Sequence, residues 1–104
     1  YNDPALTATV VERFKQDLGA TQVVELLPEL VGEDFSNYAF LEPSLATLIY
    51  SVGTSPRVPG NTKQTLQHFT PVHASTYSPE LSSSLKVGIQ SMVSAVFSIM
   101  ERPQ

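Results

Sequence analysis

The stretch 45-LATLIYSVG-53 constrains this fold more than any other, because it is almost continuously apolar yet too short for a typical helix. The pattern predicts an inner strand covered on both faces and closed by Gly53. A covered strand needs neighbours. The chain offers one other candidate, Gln22 to Leu26, where Val23 and Val24 follow a Gly-Ala-Thr turn and Pro28 ends the run. Two strands cannot supply a complete sheet, so the sequence predicts an α/β layer that is partial, or one that a partner completes.

Helical periodicity surrounds these runs. Asp3 before Pro4 reads as an N-cap with proline in the first turn, and Leu6, Val10, Phe14 and Leu18 recur at a spacing of four until Gly19 stops the helix. Val11 widens the stripe, and Glu12, Arg13, Lys15 and Gln16 fall on the wet face. From Gly32 the segment GEDFSNYAFL predicts a short helix, with Phe35 and Tyr38 on one side. Ser78-Pro79-Glu80 opens the longest periodic segment, in which Leu81, Leu85, Ile89, Met92, Val93, Val96, Phe97 and Met100 trace a stripe that runs to Pro103. The other face carries Ser84, Ser91, Ser94 and Ser98, which suits close packing slightly better than solvent. Between these elements about twenty residues, 54 to 73, hold three prolines and read as an irregular loop. The predicted order is helix, strand, helix, strand, loop, helix, without internal repeats.

At 104 residues the chain is one domain at most. Its net charge of −4 and six scattered basic residues leave no patch for a phosphate backbone, so nucleic acid is not an expected partner. No run of about 18 apolar residues is present, and a membrane is not expected either. The absence of cysteine removes disulfides, thiolate zinc sites and a thiol nucleophile. It does not assign a compartment. The N-terminus lacks the features of a signal peptide and opens on a helix start, so the sequence is expected to begin within a longer protein.

Few constellations carry chemistry. No Gly-x-Ser-x-Gly elbow and no phosphate loop are present. The two histidines, His68 and His73, sit in or beside the long loop, and a zinc site would have to recruit Glu33, Asp34 or Glu80 from distant segments. For Gly32-Glu33-Asp34-Phe35-Ser36 two readings stand level. One is a helix start whose acids interact favourably with the dipole; the other is an exposed row of N–H groups open to an anion, which the two acids oppose unless a metal or base lies close.

Taken in order, YNDPALT, LGA with VVEL, GEDFSNY, LIYSVGT and PVHASTY before a long terminal helix resemble the C-terminal segment of the zinc-type amidohydrolases and carboxypeptidases. That family includes hippurate hydrolase, indole-acetyl-amino-acid hydrolases and N-acyl-amino-acid amidohydrolases. The likeness spans nearly all of residues 1–104. It implies the last part of a three-layer α/β catalytic domain, entered just past an inserted lid domain. The implied activity is hydrolysis of the amide bond of N-acyl amino acids or small peptides, with a divalent metal, zinc first and manganese or cobalt next. His73 is the implied metal ligand, although alanine follows it and the nearest later proline is Pro79. Gly32, Glu33, Asp34, Phe35 and Ser36 are implied to shape the substrate side or to orient a metal-bound histidine. His68 has no counterpart and reads as a loop residue. No catalytic residue matches within the segment, so the chain alone is expected to be inactive and to partner the remainder of its domain or another copy. The alternative is a stand-alone α/β interaction or assembly module without catalysis.

Overall fold

The structure is a computed structural model that describes residues 1–27, 33–54 and 72–100. It forms two compact units, Tyr1–Ser51 with Gln90–Gln104, and Val52–Ile89. In chain order the elements are α1 (Pro4–Leu18), a 3-10 turn (Ala20–Gln22), α2 (Ser36–Leu41) and α3 (Leu81–Met100). Helix α3 gives its first half to the second unit and its second half to the first.

The first helix forms as its sequence dictates. Asp3 Oδ1 accepts from the Leu6 N–H at 2.8 Å, Pro4 occupies the first turn, and Gly19 follows the last turn at φ 93°, a conformation that strains any residue with a Cβ. Val10 and Phe14 are buried and Leu6 and Leu18 half-buried, so the stripe faces inward as expected. Replacing Asp3 by alanine removes one acceptor for an orphan N–H. The expected loss is about 1 kcal/mol in urea denaturation, and Asp3→Asn should restore most of it.

The α/β expectation is corrected: among the described residues the chain is helical and contains no strand. Neither predicted strand finds a ladder partner, and pairing, not apolar composition, makes a strand. Residues 23–27 leave the 3-10 turn with Val24, Leu26 and Leu27 exposed. At 45–51 the main chain makes one rung with the N-terminus. Asp3 N–H donates to Thr47 O at 2.8 Å, while Asn2 donates through Nδ2 to Ile49 O and accepts at Oδ1 from Ile49 N–H, both at 2.9 Å.

In the first unit α3 turns its small residues inward. Ser91 and Ser94 are buried, at 2% and 3% exposure, and Ala95 and Ser98 are half-buried. Ser94 Oγ donates to Asp17 Oδ2 at 2.6 Å, Ser91 Oγ lies 3.2 Å from Tyr50 Oη, and the Tyr50 ring meets Phe14 edge-on with centroids 5.1 Å apart. At this seam α3 meets α1 through the Ser94–Asp17 bond, with small side chains buried around it. The apolar stripe is the exposed one: Leu81, Leu85, Ile89, Met92, Val93, Val96, Phe97 and Met100 all face outward. By length and composition α3 would also suffice to cross a membrane, a property its serines mask when only unbroken apolar runs are sought.

Candidate functional site

The predicted site residues fall in different units, Glu33 to Ser36 in the first and His73 in the second. Gly32 and His68 lie outside the described residues.

The acidic segment is built by local bonds. Glu33 Oε1 accepts from the Phe35 N–H at 3.0 Å, Ser36 Oγ donates to Glu33 O at 2.9 Å, and Asn37 N–H donates to Asp34 O at 3.0 Å. These contacts wind the chain into α2, so the Glu33 carboxylate serves a backbone donor at the helix entrance. Asp34 makes no side-chain hydrogen bond among the described residues. Phe35 and Tyr38 meet one turn on, with centroids 5.5 Å apart and planes tilted by 57°. Together with Asn37 and Leu41 these residues line a shallow, open depression. Glu33, Asp34, Phe35 and Ser36 are all exposed.

His73 lies exposed in the turn 72–76. This turn is anchored just beyond the histidine. Tyr77 N–H donates to Ala74 O at 3.0 Å, the Tyr77 hydroxyl bonds Thr54 Oγ1, and Glu80 N–H donates to Thr54 O at 2.8 Å. The imidazole is therefore presented at the foot of α3 by a braced connection.

Glu80 caps that helix. Its carboxylate accepts from the N–H groups of Ser82 and Ser83, at 3.2 and 2.7 Å, and from the Ser83 hydroxyl. The Ser83 hydroxyl first, then the Ser83 and Ser82 amides, hold the Glu80 carboxyl below the ordinary glutamate range. A lowered carboxylate stabilises the fold fully above its unfolded pKa, and that contribution is lost as pH falls through the folded value. On acidification the first turn of α3 should fray, with slower loss of helical circular dichroism in Glu80→Gln, whose amide oxygen accepts at any pH.

Among the described residues no group of three or more His, Asp or Glu side chains is placed to hold a metal ion. A closed zinc site takes four ligands and a catalytic one three. The described residues assemble no such set around His73. Comparison with protein-family models, curated proteins and solved structures found no match to this chain.

The serine face of α3, read from the sequence as suiting close packing slightly better than solvent, is buried at Ser91 and Ser94; what the sequence reading missed is the partner of that face, Asp17. Asp17 takes bonds from Ser94 Oγ and from Arg13 Nε, each at 2.6 Å, and these hold its carboxyl below the ordinary aspartate range, Ser94 contributing most. A signal existed in the sequence: Ser84, Gly88, Ser91, Ala95 and Ser98 follow one another at spacings of four and three, a continuous stripe of small residues.

Proposed function

We propose that this chain is the C-terminal part of the catalytic domain of a metal-dependent amidohydrolase acting on N-acyl amino acids or small peptides. The observation that carries the reading is the ordered set of segments from YNDPALT to PVHASTY. The geometry supports its incomplete character. Val10 and Phe14 are the buried apolar side chains among the described residues, while the whole outer stripe of α3 is bare. Ser84 Oγ is buried with no hydrogen-bond partner among them. An exposed apolar helix face and a buried hydroxyl without a partner among the described residues support a surface that further residues cover.

In this reading His73 would hold a divalent metal together with residues outside those described, and that metal would supply activation of water and polarisation of the amide carbonyl. Asp34 is the acid of the pair whose carboxylate is not engaged locally, so it is the better candidate to orient a ligand or a substrate group. A second reading, an assembly module, draws on the same bare stripe, covered there by another chain.

The test uses the full-length gene product. Metal content and hydrolysis of N-acyl amino acids are measured for the wild type and His73→Ala. The expected result is that wild type carries a divalent metal and hydrolyses the amide, and that the variant loses both while keeping its helical signal. Retention of metal and activity in the variant removes His73 as a ligand. A full-length product with neither metal nor activity sinks the amidohydrolase reading and favours the module.

A further inference from the structure

The outer face of α3 carries a repeat. Leu85, Ile89, Met92, Val96 and Ile99 follow one another at spacings of four, three, four and three, the alternation of a coiled-coil seam, and all five are exposed, at 42–61%. Ser94, buried and bonded to Asp17, stands opposite this row on the helix, so the contact with α1 leaves the row bare. In coiled-coil lettering Ile89 and Val96 occupy a, while Leu85, Met92 and Ile99 occupy d. β-branched residues at a with leucine at d favour two parallel strands.

Charge and area select a second copy as the occupant. Lys86 is the only charged residue from Leu81 to Met100, and in a parallel pair it flanks the seam without facing its own image. A lipid surface asks instead for Lys and Arg along the polar face, and here that face is serine, tied to Asp17. With Val93 and Met100 beside them, the five residues leave on the order of 700 Å² uncovered in each copy. A pair therefore brings roughly 1,400 Å², inside the roughly 1,200–2,000 Å² of stable interfaces. So short a seam does not hold free peptides together, but α3 is ordered before it meets a partner, by the Glu80 cap and the Ser94–Asp17 bond. We infer that the 104-residue chain forms a parallel two-fold dimer through this row, with Ile89, Met92 and Val96 each meeting its own image.

The experiment exploits the absence of cysteine from the chain. Leu85→Cys places one thiol per copy at a d position, where a parallel pair brings the two within disulfide reach; in an antiparallel pair that thiol lies opposite Ile99 instead. In a glutathione redox buffer Leu85→Cys is expected to form a disulfide dimer, and Gln90→Cys, off the row, to stay reduced. Sedimentation should show the wild-type mass doubling from low micromolar concentration, where the monomer prevails, towards the millimolar range. Ile89→Glu sets two carboxylates face to face and should weaken that association by about tenfold. Ile89 is exposed, so the variant is expected to keep its helical circular dichroism, which ties the loss to the row. A wild type monomeric throughout overturns the inference, whether or not it sediments with phosphatidylserine vesicles. So does a dimer that Ile89→Glu leaves unchanged, or one that crosslinks no better at residue 85 than at residue 90. The Leu85→Cys crosslink is then sought by mass spectrometry in the full-length gene product. Its absence there, with metal and amide hydrolysis intact, assigns the face to the chain's own domain: that overturns the dimer and leaves the amidohydrolase reading standing.

Discussion

Phe14→Ala is expected to abolish cooperative unfolding of the first unit. Phe14 is 7% exposed and, with Val10, makes up the buried apolar core among the described residues. It also supplies the ring against which Tyr50 packs edge-on at 5.1 Å. Truncating a buried phenylalanine costs about 3–5 kcal/mol from lost transfer energy and the cavity left behind. Small domains hold only about 5–15 kcal/mol in total, and so sparse a core belongs at the low end. Urea denaturation followed by Tyr fluorescence should show a sharp transition in the wild type and a shallow drift in the variant. Leu27→Ala, at an exposed position, is the control and should move the midpoint little. A cooperative transition retained in Phe14→Ala would mean that the stability lies outside this contact.

Ser94→Leu should come next in size, although it adds the apolar bulk that a helix stripe usually wants. Ser94 is 3% exposed and bonded to Asp17, so leucine must displace the side chains packed around it and strip Asp17 of one of its two donors. Overpacking of this kind costs about 1–3 kcal/mol. Ser94→Ala separates the two effects: it fits the space and removes only the bond. In that variant the Asp17 carboxyl should titrate closer to the ordinary aspartate range, measurable by NMR. The stabilisation the wild type has above the unfolded pKa, and loses as pH falls through the lowered one, should shrink accordingly. By contrast Leu85→Ser, on the bare outer face, should leave the melting curve of the isolated chain almost unmoved. If Ser94→Leu proves neutral, the small-residue seam is not a packing constraint.

These contrasts show what could be read from the sequence. Local signals succeeded where the physics is local. Asp3, Pro4 and Gly19 bound α1 because a cap, a fixed φ and a positive φ depend on the residues themselves. The Phe35–Tyr38 pair follows from a spacing of three. The strands failed because a ladder belongs to two segments, and neither 22–26 nor 45–53 has its second segment among the described residues. The inward face of α3 was only half legible. Its stripe of large apolar residues marks one packing surface and its stripe of small residues another, and a sequence alone does not say which surface meets α1. The candidate site divides in the same way. His73, read from the sequence as lying in or beside the long loop, sits exposed in the turn 72–76, whereas the role of Glu33 in serving Phe35 N–H depends on a side-chain rotamer that spacing does not encode.

The Asn2 amide has a role larger than its two hydrogen bonds. It donates to Ile49 O and accepts from Ile49 N–H, and so ties the N-terminus to the main chain beside Tyr50, whose ring packs on Phe14 and whose hydroxyl lies by Ser91. The segment that carries this aromatic contact is thus anchored by an exposed asparagine 47 positions away in sequence.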